Sequence, residues 1–460
     1  MKRFDRRQML RGTIVAAPVL ALSASALDAG QRPATSTVPG AAVPPEGTVV
    51  TPPLPATLQV SVADHGAKGD GTTDDTAAIV AARDAVLATR VNDNQLAAEL
   101  FFPAGIYRIT TPDALLASPT DGSADQVRGY TVRGMGKRTS EIFFDSDAGE
   151  TDDPFAHNLM TAANRIRAMR VSSISFRSEN ANQSWMYCWS RDDGDKNLEQ
   201  PDVGSGSNHD VVLSDVEWRG AWKRVIGLDG DQQSNLNSEW AFYNCHVNNT
   251  GTFADAFLHC GMSPEHDQQD QFLNFWFYAC KFEYAHGTLL KFSKGGFINV
   301  FGGSWIAGIN SDEPATFFHM PATSHFDSTQ NLVVVGTRFE LRHHEVTLLD
   351  TAWGGPSAHI TFQNISDSAL SFQPWAADTN PVLVRSESGS IPTLKFLNSE
   401  LMGYHRVLGA KAGQGRVVYD GCNFANHPGG GVGDDGFLRY AGGQPSYRFV
   451  DCYGVEDDSA

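Results

Sequence analysis

Short apolar segments recur along most of this chain, each four to six residues long and interrupted by single polar positions. One set comprises LSDVEW (213–218), FYNCHV (242–247), FYACKF (277–282), VFGGSW (300–305), VVGTRF (334–339), FQNISD (362–367), FLNSEL (396–401), YDGCNF (419–424) and FVDCYG (449–454). A second set, VIGLD, AFLHC, TLLKF, TFFHM, TLLDT, VLVRS, RVLGA and GFLRY, lies between them, starting near residues 225, 256, 288, 316, 347, 382, 406 and 436. A repeat of this kind predicts coils that cannot bury their own inward faces and must stack on their neighbours. The expected fold is therefore all-β, a single-stranded right-handed parallel β-helix. A β-sandwich would need a regular series of hairpin dipeptides, which the sequence lacks.

Ahead of the repeats, VSVADHGAKGDGTTDDTAAIVAARDAVLATR predicts a short strand, a glycine turn and a capping helix. Thr72 or Thr73 is the expected cap, with Asp74 and Asp75 in the first turn. Ala78, Ile79, Ala82, Val86 and Leu87 form its apolar face, and ELFFPAGIYRI predicts another strand. These residues resemble a family. Gly66 to Gly71 with Thr73-Asp74-Asp75-Thr76 and Phe102-Pro103-Ala104-Gly105-Ile106-Tyr107 are similar to the opening of the pectate-lyase-like superfamily of β-helix proteins. Phage tailspike depolymerases, β-1,3-glucanases and mannuronan epimerases carry similar openings. The resemblance implies a right-handed parallel β-helix closed by the short helix, and a structural role for the Asp residues of that opening. It does not imply a reaction, because the superfamily mixes lyases, hydrolases, epimerases and binding proteins.

Strand alternation assigns the remaining chemistry. Cys245, Cys280, Cys422 and Cys452 occupy one register position, shared elsewhere by Gly303, Thr337, Ile365 and Ser399, and are expected to face the core free or in incidental pairs, a disulfide network being the competing reading. In the second set the outward position reads Gly227, His259, Lys291, His319, Asp350 and Arg385. A column of acid, base and cationic groups on rigid strands suits a long polymer lying along the axis, so His259, Lys291, His319, Asp350 and Arg385 are the candidate catalytic residues. A rival outward column in the first set is Glu217, His246, Lys281, Ser304, Arg338, Ser366, Glu400 and Asn423. Residues 180–210 interrupt the rhythm and read as an insertion. Within it Trp185, Tyr187 and Trp189 recur at spacing two, followed by Arg191, and together they are the candidate substrate-binding set.

Composition narrows the setting. Residues 1–26 carry Arg6-Arg7, an apolar stretch from Ile14 to Leu22 and Ala24-Ser25-Ala26, and are expected to be an export signal of twin-arginine type, the alternatives being an ordinary secretory signal or an uncleaved anchor; residues 27–58 read as a Pro/Ala/Thr-rich linker and 59–460 as the β-helix domain. The expected location is periplasmic or secreted. Removing the signal's five basic and one acidic residues leaves 30 against 52, a net charge of −22, which disfavours nucleic acid. No membrane span is expected in the mature chain. The expected partner is a polysaccharide, with a homo-oligomer suggested by analogy to other β-helix proteins alone. One carboxylate among several basic groups favours a polysaccharide lyase acting on a uronate chain by β-elimination. The alternatives are a glycoside hydrolase, for which Asp229, Asp231, Glu265, Asp267 or Asp312 could add a second acid, and a noncatalytic binding β-helix. No metal ligand set is assigned; Ca²⁺ is left open as a means of neutralising an anionic substrate.

Overall fold

A computed structural model describes residues 58–91, 95–117, 127–163, 166–190, 208–230, 237–262, 272–321, 330–342, 345–353, 358–369, 382–386, 393–401, 404–408, 416–424, 438–441 and 446–454. All of them belong to one unit, Pro55–Ala460. The expected export signal, the linker up to residue 57, and Arg191 lie outside the described residues.

What closes each coil is a single left-handed residue. Asp215, Asn244, Ala279, Gly302, Gly336, Asn364, Asn398, Gly421 and Asp451 all have φ between 47° and 67°. They fall inside the nine segments of the first set, so each segment is a corner joining two strands and not one straight strand. Asn, Asp and Gly tolerate this conformation best, which is why they dominate the position. Three ladders result, and the strands pair in parallel throughout. The first runs from Leu58–Ser61 through Phe275–Tyr278 to Ser446–Val450. The second starts at Asp70–Asp74 and includes His246 to Val247, Lys281 to Phe282 and Arg338–Leu341. The third carries Ser184–Ser190, Ala315–Met320, Val346–Thr351 and Val382–Ser386. The fold is a parallel β-helix.

Stacking builds the core. Phe362, Phe396, Tyr419 and Phe449 stack in succession with ring centroids 5.1 to 5.4 Å apart. The cysteine position is inward, as alternation requires: Cys245, Cys280 and Cys422 are buried and no described cysteine is in a disulfide. Their thiols point at backbone carbonyls, Cys245 Sγ at Leu213 O (3.4 Å) and Cys422 Sγ at Phe396 O (3.3 Å). Burial pushes the Cys188, Cys245 and Cys260 thiols above their ordinary range, which suppresses the reactive thiolate. Mass spectrometry after brief iodoacetamide treatment of the native protein is expected to find these three unmodified, and all modified in denaturant. Labelling in the native state would contradict their burial.

The first coil departs in detail from the sequence expectation. The helix spans Thr76–Leu87 with Asp75 as its N-cap, so Asp74 and Asp75 precede its first turn. Their carboxylates do other work. Asp75 accepts from Lys68 N (2.6 Å) and Gly69 N (3.0 Å), Asp70 from Thr72 and Thr73, and Asp74 from Thr76 and Thr110. The opening motif is a self-satisfied cap. ELFFPAGIYRI is two strands, Ala98–Phe102 and Gly105–Ile109, because Pro103 lacks the N–H a continuous strand needs. The expected insertion also begins as a regular coil: Ser184–Ser190 pairs with Asn158–Ala163 on one side and with Arg224 to Gly230 on the other.

Candidate functional site

The outward column of the third ladder is continuous in register. Tyr187 stands opposite Gly227, Gly227 opposite His259, His259 opposite Lys291, Lys291 opposite His319, His319 opposite Asp350, and Asp350 opposite Arg385. His259 is buried, whereas Lys291, His319 and Asp350 are half-buried. The first part of the column is covered: Gly227 is buried, and a Cβ there would meet Arg224 and Met262 at 3.0 Å and Tyr187 at 3.1 Å, so the glycine lets these side chains close over the strand.

Three residues absent from the sequence-derived set complete the site. Between Trp222 and Arg224 one strand has a single residue, but its partner has two between Phe253 and Ala256. This bulge places Asp255 beside the column, the re-aiming of a side chain that bulges provide. Asp255 Oδ2 lies 2.8 Å from His259 Nδ1 and 3.4 Å from Arg224 Nε; its Oδ1 lies 2.9 Å from Lys291 Nζ. On the far side of the imidazole, His259 Nε2 is 2.8 Å from Ser293 Oγ. Ser293 is half-buried and faces the same way as Lys291, because Phe292 between them points into the core. The only chain signals were a lone acid inside the apolar run FADAFLHC and a serine two residues beyond Lys291.

Electrostatics follow from this packing. Burial alone would raise the Asp255 carboxyl, but the His259 hydrogen bond and the charges of His259, Lys291 and Arg224 outweigh it and hold the group well below the usual carboxylate range. Burial pushes His259 below the ordinary imidazole range; Lys291 and Arg224 add to this, against the pull of Asp255. A neutral imidazole donating from Nδ1 to an ionised Asp255 leaves Nε2 as a proton acceptor.

The rival column is also in register, from Glu217 through His246, Lys281, Ser304, Arg338, Ser366 and Glu400 to Asn423. Its charges are bound into structural pairs. Arg138 holds Glu217 (2.8 Å), Lys137 lies 3.2 Å from His246, Lys281 pairs with Glu283 (3.0 Å), and Arg338 pairs with Glu340. Lys137 and Arg138 belong to a much earlier coil whose turn crosses this face.

The aromatic set is corrected. Trp185 does not share an outward side with Tyr187 and Trp189; it is fully buried against Phe176 and Trp218, with centroids 5.1 and 5.4 Å away. Trp185 drops out of the pairing register on both sides while Ser184 and Met186 stay in it, so Trp185 and Met186 both enter the core and alternation resumes only afterwards. Tyr187 points outward but is covered by Phe155 (5.0 Å), and only Trp189 is half-buried. Of the acids considered as second carboxylates, Asp229 is buried, and Asp231, Glu265 and Asp267 lie outside the described residues. Among the described residues no group of three or more His, Cys, Asp or Glu side chains converges on a metal position.

Fold and site together define a parallel β-helix protein with a buried Asp-His pair and two cations on the outer wall of one ladder. Residues 59–257 match the family described as rhamnogalacturonase A/epimerase, pectate lyase-like. No curated protein matches it in sequence. Among solved structures it is similar to the catalytic unit of a thermostable GH87 α-1,3-glucanase from Streptomyces thermodiastaticus strain HF3-3 (14% identity, 84% of this chain and 68% of that one, TM-score 0.47). It is also similar to the A-module of the Azotobacter vinelandii mannuronan C-5 epimerase AlgE4 (14%, 86% and 97%, 0.37) and to the Streptococcus pneumoniae surface protein and adhesin PfbA (10%, 86% and 99%, 0.39).

Proposed function

We propose that this chain is an exported carbohydrate-active enzyme, a polysaccharide lyase that cleaves a uronate-containing chain by β-elimination. One observation carries the reading: the His259 imidazole is held by the Asp255 carboxyl at 2.8 Å, with Lys291 and Arg224 on the same carboxyl, in a partly desolvated wall. β-Elimination needs a base for the proton next to the uronate carboxyl and a cation to lower the cost of charge developing there. His259 Nε2 supplies the base, with Ser293 yielding its hydrogen bond as substrate enters. Lys291 neutralises the carboxyl, and the column onward through His319 and Asp350 offers further polar contacts along the polymer. The pectate-lyase-like family match agrees with a sugar polymer as substrate.

The test is incubation of the purified protein with uronate and neutral polysaccharides. An unsaturated product absorbing near ~235 nm is expected, as elimination chemistry requires. New reducing ends without that band would support a glycoside hydrolase instead, and no release from any polymer would support a binding β-helix. Because His259 must be neutral to accept a proton, the rate is expected to rise with pH through a value below the ordinary imidazole pKa of about 6.5 and then level off. A rate that falls over that range would argue against His259 as the base.

A further inference from the structure

Asp255, His259 and Ser293 form a linear chain of hydrogen bonds: carboxylate to Nδ1 at 2.8 Å, then Nε2 to hydroxyl at 2.8 Å. Each contact has the length expected of an orienter–base–nucleophile set, and such sets are recognised by geometry and not by fold. The two members that need shielding are shielded: His259 is 7% exposed and the Asp255 side chain 20%. Ser293 sits where the strand ends, at a connection from Phe292 to Gly296 that is among the shortest leaving this ladder, and it is half-buried. Nothing in the elimination reading requires a hydroxyl on Nε2.

We propose that Ser293, His259 and Asp255 are a second catalytic set that hydrolyses carboxylic esters carried by the sugar polymer. The inference rests on the reading of this column as the site, but not on the elimination step. Ser293 Oγ attacks the ester carbonyl carbon as its proton passes to His259 Nε2. The tetrahedral oxyanion collapses with cleavage of the C–O bond, and the departing alcohol takes the proton from Nε2. Water, deprotonated by the same nitrogen, then attacks the acyl-serine; the carboxylic acid leaves and Oγ regains its proton. Lys291 gives one of its three ammonium donors to Asp255 and, on the same strand face as Ser293, places positive charge beside the forming oxyanion. Asp255 is a positioning residue here, holding the tautomer.

Two ester sources share this chemistry, an O-acyl group on a sugar hydroxyl and an alkyl ester of the uronate carboxyl. The full chain is incubated with p-nitrophenyl acetate, with acetylated and with methyl-esterified polyuronate, and with a fluorophosphonate probe. A covalent adduct on Ser293 and ester turnover are expected. Release of acetate identifies the first source and release of methanol the second. Turnover should fall by about 10³-fold or more in Ser293→Ala, with the fold of that variant checked by its melting temperature. No adduct on Ser293 in the folded wild-type protein, or undiminished turnover in a folded Ser293→Ala, overturns the proposal. Elimination is read separately, on fully de-esterified polyuronate with the wild-type protein. Its absence refutes the elimination reading without bearing on the ester arm.

Discussion

Replacing Asp255 with Asn is expected to lower stability more than any other single change at the site, and to lower activity as well. In the native protein its two oxygens serve His259, Lys291 and Arg224, and the Arg224 side chain is only 6% exposed. Removing one partner of a buried ion pair leaves the other charge uncompensated, at a cost of about 3–5 kcal/mol. The Lys291 contribution is the smaller, because that side chain is 25% exposed and water screens it. An amide at this position also stops dictating which ring nitrogen of His259 bears the proton, and comparable loss of the orienting acid in other enzymes lowers kcat on the order of 10⁴-fold. Urea denaturation and turnover of Asp255→Asn measure the two effects. Wild-type stability in this variant would show that the cations are solvated without it.

The same groups set the acid limb of stability. Both Asp255 and His259 have folded-state pKa values below their unfolded ones. The unfolded chain therefore binds more protons at low pH, and stability rises with pH across that range. The His259 contribution is fully present above about 6.5 and is lost as pH falls through its lower folded value. The Asp255 contribution is present above about 3.9 and is lost only in stronger acid.

Trp305→Ala is expected to be the most damaging change in the core, by about 3–5 kcal/mol. Trp305 is fully buried, with ring centroids of Phe282 and Phe318 at 5.3 Å, Phe339 at 5.8 Å and Phe277 at 5.9 Å. These rings come from successive coils and from more than one ladder, so the indole joins walls as well as layers. A truncated side chain leaves a cavity that a stacked backbone cannot close by moving one coil alone. The unfolding midpoint in urea checks this. A shift of under about 1 kcal/mol would mean that the neighbouring rings repack into the space.

Much of the architecture was legible in the chain because β-structure writes it with period two. The register from Gly227 to Arg385 and the inward cysteine position follow from alternation plus repeat spacing, since stacked coils place equivalent residues one strand apart. The corners carried their own signature in Asp215, Asn244, Gly302 and Gly336, residue types that accept a left-handed backbone, although Ala279 does so without the signature. The error over Trp185 has a different cause. Alternation counts faces correctly only where the pairing register is regular, and Trp185 falls out of it on both sides, so Trp185 and Met186 both turn inward.

By itself the sequence determined that this protein stacks coils, that the cysteine position faces inward, and that imidazole, ammonium and carboxyl groups line one outer column. Local preferences and a fixed period are enough for that. Only the tertiary structure decided that Asp255 and Arg224 join the column and that Ser293 meets His259 across coils. A bulge is defined by two residues on one strand facing one on its neighbour, Ala254 and Asp255 against Lys223, so it exists only in the alignment of distant segments and leaves no mark in either alone. The charge balance of the wall depends on that pairing, as does the protonation of His259, because burial and neighbouring cations are properties of the packed coils.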